Sequence, residues 1–456
     1  MAVWNTINLS DIKPDRCDAE YFRKDFQDNI NYLEKTGKTT SLRKLFAYIN
    51  RGSQPEYSPN GVFKALRSVN VGFMNFNETR QEYVTEVFYE NNNRGKVQKD
   101  DVLITSTGVG TLGRSSIWFY DEKAYCDGHI TILRKGSIDP YFITAFLNSK
   151  YGLLQFDQNF RGSSGQIEIY PFDISKFVIP ECLFAHQKEI GDYLKEGFIL
   201  QQKSQTLHQQ ATKLLVQELG LDKITFKKLK SYTAQFSELI INRRIDSDFY
   251  NPDYEMLKSH LKTLSGLKLK EISSLQSGYA FSSKKYKEIG KQIVRIQNIS
   301  GDILNLKRNP VYYSDKDIIG LSSFQVNKGD TLMAMTGNTI GNCSLNTSDA
   351  ELYLNQRVLS ITPDTNFVTA EYLNLVLRNV VFKTFIDREL VGGAQPNISL
   401  EFIGNQIVPI VKSKSMELIT LYLKNHYINI EKSKELLSQA KNRVEQLIEE
   451  AAIKTI

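Results

Sequence analysis

The chain has 456 residues, too long for one hydrophobic core, and its 41% hydrophobic and 24% charged content is ordinary for a globular protein. Its 57 Lys+Arg against 51 Asp+Glu leave a net charge of +6, which permits nucleic-acid binding through local patches and excludes a histone-like mode. No apolar run reaches the roughly 18–20 residues of a membrane span, no export signal is visible, and Cys17, Cys126, Cys182 and Cys343 are too scattered for a metal set, so a cytoplasmic protein with reduced thiols and no membrane partner is expected.

In chain order, the first element is Arg16-x-Asp18-x-Glu20-Tyr21-Phe22, and it returns about 228 positions later as Arg244-x-Asp246-x-Asp248-Phe249-Tyr250. Leu66-Arg67-Ser68-Val69-Asn70-Val71 returns as Val294-Arg295-Ile296-Gln297-Asn298-Ile299. Lys99-Asp100-Asp101-Val102-Leu103 returns as Lys328-Gly329-Asp330-Thr331-Leu332, and Thr107-Gly108 with Gly113 as Thr336-Gly337 with Gly341. Tyr125-Cys126-Asp127 meets Tyr353-Leu354-Asn355, Ile179-Pro180 meets Val408-Pro409, and Tyr193-Leu194-Lys195 recurs as Tyr422-Leu423-Lys424. Matches kept in order at a nearly constant offset imply two whole domains, since solenoid repeats run to only about 50 residues.

Residues 41–180 and 266–410 read as mixed α/β with a strand bias. Asp101–Thr107 and Asp330–Thr336 are short apolar runs ending at glycine, as strands do, and Ile130–Leu133 and Val358–Ile361 follow as further strands. Tyr141 to Tyr151 and Glu371 to Phe385 carry apolar residues at helical spacing, with Asp139-Pro140 as a start signal for the first. From His186 to Gly220 there is no proline, and Leu200, Leu207, Leu214 and Leu221 fall seven apart. Leu423, Ile430, Leu437, Val444 and Ala451 repeat that step, with Ala440 and Leu447 between them. Sustained heptads mark helices that pack lengthwise, and the two are expected to pair with each other, an independent oligomerisation coil being the alternative. A helix of some 33 residues, rising about 1.5 Å per residue, would hold two lobes a little more than one DNA turn apart. The expected fold is α/β (α+β): a first lobe over 1–185, a spacer helix over 186–221, a second lobe over 222–411 and a closing helix over 412–456.

Several patterns suggest catalysis and are better explained otherwise. Gly108-Val109-Gly110-Thr111-Leu112-Gly113 fits a dinucleotide fingerprint, but Arg114–Tyr120 reads as a strand and not the required helix, leaving a tight turn. Asn251-Pro252-Asp253-Tyr254 approaches the base-holding element of amino-group methyltransferases, yet it lacks an upstream cofactor loop and suits a helix start. Asp100-Asp101 could contribute to a nuclease site, but Gly329 replaces the first carboxylate in the second copy. His129, His186, His208, His260 and His426 show no metal or triad spacing. No complete catalytic apparatus is present in the sequence.

Two Gly-rich polar loops recur in each half. The first, Thr107 to Arg114, is matched by Thr336 to Asn342; the second, Asn159 to Gln166, is matched by Arg388 to Asn397. Arg recognises guanine, Asn and Gln recognise adenine, and Gly lets backbone approach phosphate. Candidate DNA-binding residues are therefore Thr107, Arg114, Asn159, Arg161, Ser163, Gln166, Thr336, Asn338, Gln395 and Asn397, with Lys284 and Lys285 from a basic cluster. Candidate helix-pairing residues are Leu200, Leu207, Leu214, Leu423, Ile430, Leu437 and Val444.

Across essentially the whole chain the arrangement resembles the DNA-specificity subunit of type I restriction–modification enzymes. The residues that carry it are Asp101–Gly108 with Thr111-Leu112-Gly113-Arg114, and Gly162-Ser163-x-Gly165-Gln166-Ile167 before Ile179-Pro180. The second half departs at Met335, Cys343 and Ala394. The resemblance implies two target-recognition domains separated by an antiparallel helical pair, pseudo-two-fold, each reading one half of a split, asymmetric target in double-stranded DNA. It also implies that the spacers hold two methyltransferase subunits, with restriction/translocase subunits joining. S-adenosylmethionine, ATP and Mg are then expected on the partners, with no cofactor, metal or catalytic residue in this subunit. The specificity subunit of a two-component methylating nuclease and a protein scaffold without DNA contact are the alternatives.

Overall fold

A computed structural model describes residues 5–9, 12, 16–78, 80–162, 165–224, 231–390 and 398–454, apart from the side chains of residues 248 and 380. The chain divides into two compact units, residues 1–202 with 430–456, and residues 203–429. Each unit thus takes a part of each long helix.

The first unit contains strands β1 (Thr39–Ser41), β2 (Phe46–Arg51), β3 (Phe63–Leu66), β4 (Glu82–Val84), β5 (Lys96–Val97), β6 (Asp101–Thr105), β7 (Ser115–Trp118), β8 (Ala124–Cys126), β9 (Ile130–Gly136) and β10 (Val178–Pro180). They form sheets of order β2-β9-β6-β7 and β4-β3-β8-β5, with β1 on β10. All pairs are antiparallel except β3 with β8, where Lys64 faces Ala124. Strand β6 is buried along its whole length, which is why it reads as a continuous apolar run without alternation.

The second unit repeats this sheet for sheet. Its strands are β11 (Gly266–Lys268), β12 (Ser273–Ser277), β13 (Lys291–Val294), β14 (Tyr312–Tyr313), β15 (Gln325–Val326), β16 (Thr331–Ala334), β17 (Cys343–Leu345), β18 (Leu352–Leu354), β19 (Val358–Pro363) and β20 (Ile407–Pro409). The orders are β12-β19-β16-β17 and β14-β13-β18-β15, with β11 on β20. The parallel pair recurs in register, Gln292 facing Leu352.

The duplicated motifs have structural explanations. Arg16 bonds Asp18 at 2.8 Å, stacks 4.4 Å from the Tyr21 ring, and donates to the carbonyls of Gln158, Asn159 and Phe160 at the end of the helix Lys150–Asn159. Arg244 does the same with Asp246, Phe249 and the Glu389 carbonyl. A guanidinium at a helix C-terminus satisfies carbonyls that the helix leaves unpaired. Asp100 and Gly329 both have positive φ, +65° and +93°, a backbone state open to Gly and tolerated by Asp. The carboxylates that follow serve the turn: Asp101 accepts from the Gln98 N–H at 2.7 Å and Asp330 from that of Asn327 at 2.8 Å. Those bonds account for Asp101 without nuclease chemistry.

Each helical stretch expected as one piece is two. Helix Pro140–Leu147 stops before Lys150–Asn159, and Ala370–Arg378 before Val380–Leu390. The break falls where Ser149 Oγ caps the N–H of Gly152 and Asn379 Oδ1 accepts from that of Val381. Asn251 likewise caps the helix Pro252–Thr263, so Asn251–Tyr254 is a helix start.

The central helix runs Gln187–Glu218 and the closing helix Ser413–Lys454. In the first unit they pack antiparallel: Glu189 pairs with Arg443 at 3.0 Å and Glu196 with Lys432 at 3.5 Å. Ile190, Leu194 and Phe198 join Leu437, Ala440, Val444, Leu447 and Ile448 in one buried cluster with Phe142 and Phe146. Burying each of the larger side chains stabilises by about 1.5–3 kcal/mol. In the second unit Ser204, Ala211 and Leu215 on the central helix are buried, as are Met416, Ile419, Leu423 and Tyr427 on the other. Leu423, Leu437 and Val444 therefore lie in the seam, while Leu200, Leu207, Leu214 and Ile430 are half-buried. The central helix uses Gly197, Ser204 and Ala211 at seam positions, small residues that a search for leucines passes over.

Candidate nucleic-acid interface

In the first unit the fold brings the two expected loops together. The N–H groups of Arg161 and Glu168 each donate to the other's carbonyl, at 2.7 and 2.9 Å. Gly108 N–H donates to Ile167 O at 3.0 Å, and Ile169 N–H to Ser106 O at 2.9 Å. Thr107 and Glu168 thus form a bridge that stitches the 107–114 turn to the 161–169 segment. Both loops are built on positive-φ glycines, and at Gly162 (φ +99°) a Cβ would run into the Gln166 carbonyl.

The named side chains divide into anchors and presented groups. Arg161 bonds buried Asp173 at 3.2 Å and Arg114 donates to Gly110 O at 2.5 Å, so both guanidiniums brace the loops. Asn159 turns back onto Gln155 O at 2.8 Å. Thr107 is half-buried and Gln166 exposed; Ser163 lies outside the described residues. In the second unit Asn338 is exposed and the Thr336 hydroxyl is buried with no hydrogen-bond partner among the described residues. Gln395 and Asn397 lie outside the described residues. Lys284 and Lys285 are not at the Thr336 turn; they sit in the short helix Ser283–Lys285 beside the β13–β14 edge, Lys285 pairing with Asp317 at 2.8 Å. Lys284 is exposed.

Two features escaped the sequence. At the end of β2, Arg51 bonds Glu168 at 3.2 Å and Ile169 O at 2.8 Å, and stacks 4.9 Å from the Tyr170 ring. The Tyr170 hydroxyl, aided by Arg51, holds the Glu168 carboxyl below the usual carboxylate range. The second feature is the turn joining β8 to β9. Ser106 N–H donates to His129 O at 2.8 Å, so this turn lies at the base of the 107–114 loop. Burial raises the Asp127 carboxyl, while the His129 N–H, 2.9 Å away, opposes the shift. The counterpart turn, Asn355-Gln356-Arg357, is held alike: Met335 N–H donates to Arg357 O at 3.0 Å. The match of Tyr125-Cys126-Asp127 to Tyr353-Leu354-Asn355 stops just before Gly128-His129 in one unit and Gln356-Arg357 in the other, where His129, Gln356 and Arg357 are exposed.

Among the described residues no group of three or more His, Cys, Asp or Glu is arranged to hold a metal ion, and no helix is long and apolar enough to cross a membrane. Cys17 and Cys182 are exposed free thiols and Cys126 and Cys343 buried ones.

Residues 264–442 match the family described as Type I restriction modification DNA specificity domain. No curated protein matches the chain. Among solved structures, the chain is similar to the S subunit of a type I restriction–modification system from M. genitalium, at 15% identity, covering 91% of this chain and 95% of that one with a TM-score of 0.49. It is also similar to the HsdS subunit from Thermoanaerobacter tengcongensis, at 12% identity over 91% of this chain and 96% of that one, with a TM-score of 0.29. The family match is what bears on function.

Proposed function

We propose that the whole chain is the sequence-reading subunit of a type I restriction–modification system, with one half of a split target read by each unit, since residues 264–442 match the DNA specificity domain of such systems. The observation that carries this reading is the second appearance of the same sheet orders and register: the unit holding most of the family match has a topological twin earlier in the chain. Unlike residues on the twin frames, such as His129 against Arg357, favour an asymmetric target. The residues proposed to meet DNA are the 107–114 and 161–169 loops of the first unit and the 336–342 turn of the second, with Lys284 as a phosphate contact. The chain itself supplies recognition. Methylation and any cleavage fall to partner subunits held through the helices, and S-adenosylmethionine, ATP and Mg belong to those partners.

Methylome sequencing of a host with and without the gene tests the reading. A split motif methylated only when the gene is present supports it; identical methylomes, with the partners expressed, overturn it. The mass of co-purifying partners separates a system with its own translocating nuclease from a two-component methylating nuclease.

A further inference from the structure

The turns Asp127–His129 and Asn355–Arg357 occupy the same place in the two units and differ in what they expose. Each is fixed by backbone hydrogen bonds together with the side chain of its first residue, Asp127 or Asn355, which accepts from the N–H two residues on. A Cβ on Gly52 would run into the Cys126 and Asp127 carbonyls, and one on Gly278 into those of Leu354 and Asn355, so only glycine allows the first strand to close on the turn. Gly52 N–H donates to Ile130 O at 2.9 Å and Gly278 N–H to Val358 O at 3.2 Å. Tyr279 and Gln356 are joined further, Gln356 N–H donating to Tyr279 O at 2.8 Å. From these rigid frames project exposed His129 in one unit and exposed Gln356 and Arg357 in the other.

Their engagement differs from that of the neighbouring arginines. Arg51, Arg114, Arg161 and Arg388 all have their guanidiniums bonded to protein groups. Arg357 has no side-chain hydrogen bond, ion pair or ring contact within the described residues, and neither does the imidazole of His129 or the amide of Gln356 beyond its backbone bond. An exposed arginine without a protein partner keeps its planar fork available from a fixed backbone position, and the group that matches that fork in a DNA groove is the O6/N7 edge of guanine.

Resting on the reading of the chain as a DNA-specificity subunit, we propose that this turn is a base-reading element in both units, with Arg357 reading a guanine in one half of the target and His129 occupying the equivalent reading position for the other half. The same scaffold with different side chains makes the halves of the target unlike.

The test uses the full chain with its co-purifying partners, selecting from a pool of randomised duplexes, followed by sequencing. Wild type should select a split motif. Arg357→Ala should relax one guanine position in one half-site, by roughly 5- to 150-fold in discrimination, the range for loss of a bidentate base contact. His129→Ala should relax a position in the other half only. Arg357→Lys keeps the charge and loses the fork, so it should behave like Arg357→Ala in base preference. Unchanged preferences in all three variants overturn the proposal. So does uniform weakening by Arg357→Ala that Arg357→Lys restores, which marks a phosphate contact. If wild type selects no motif, the underlying DNA-reading assignment fails instead.

Discussion

His426 donates from Nε2 to Asp302 Oδ2 at 3.0 Å, joining the closing helix to the loop after β13 within the second unit. The Nδ1 side of the same ring meets Ser204 Oγ at 2.7 Å, and His208 Nε2 lies 3.7 Å from Asp302. Arg378 bonds the other carboxylate oxygen. At the corresponding places about 228 positions earlier or 229 later, the first unit has Met74, Gly197 and Leu437, and Met74 and Leu437 share one apolar cluster. The twin frames are thus closed by an ionic network in one unit and by apolar packing in the other.

That difference predicts a pH response confined to the second unit. Burial alone would raise the Asp302 carboxyl, but the His426 hydrogen bond and the charges of Arg378 and His208 hold it well below the usual carboxylate range. A depressed carboxylate stabilises the fold above its unfolded value, about 3.9, and that contribution is lost as pH falls through the folded value. Burial also lowers His208, so below its unfolded value of about 6.5 the unfolded chain binds more protons and stability declines. Thermal unfolding followed from about pH 7.5 to 5.5 should show a falling midpoint for this unit, and His208→Leu should flatten it. Equal slopes for wild type and variant would refute the account. Asp302→Asn should cost about 1–3 kcal/mol, between the values for exposed and buried pairs.

The helix seam predicts unequal leucines. Leu437 is 7% exposed within the first unit's main cluster, whereas Leu200 is half-buried. Leu437→Ala should destabilise by about 2–5 kcal/mol in urea unfolding, and Leu200→Ala by under about 1 kcal/mol. Similar losses at both positions would mean that Leu200 also lies in the contact, beside the line through Leu194, Phe198 and Ala211.

Gly162→Ala tests the stitched loops. The substitution forces a side chain into φ +99° against the Gln166 carbonyl. Strain of about 1–3 kcal/mol should shift the loop and leave the core standing. Base preference in the first half-site should blur, while circular dichroism and the unfolding midpoint of the second unit stay as in wild type. Intact preference would remove this loop from the reading surface.

Salt dependence separates the two lysines. Lys284 is exposed and Lys285 is paired with Asp317. Lys284→Ala should lower the slope of log affinity against log salt by about 0.9 without changing base preference, as loss of one phosphate contact does. Lys285→Ala should have a smaller effect, because its charge is already partly neutralised. A slope unchanged by Lys284→Ala would place the basic cluster away from DNA.

Much of the candidate site was legible in the residues, and the limits have identifiable causes. The Thr107 loop and its Thr336 twin could be found because glycine is required where backbone turns with positive φ, and such positions leave a mark in any sequence. Whether Arg161 faces solvent or Asp173 could not be read, since the partner lies on the far side of the loop and its spacing follows no period. Arg51 met Glu168 from more than a hundred positions away, and nothing local announces that pairing. The single long helices expected over 141–151 and 371–385 were broken by a serine and an asparagine whose side chains cap better than they continue.

The amino-acid sequence by itself determined that there are two copies of one fold and that two long helices follow them, because repeats and heptads are properties of order along the chain. Only the tertiary structure decided which face of the central helix became the seam, which arginines brace loops and which stand free, and that Asp302 gathers His208, His426 and Arg378. Those outcomes depend on side chains hundreds of positions apart arriving within hydrogen-bond distance, where desolvation and pairing, not local preference, set the free energy.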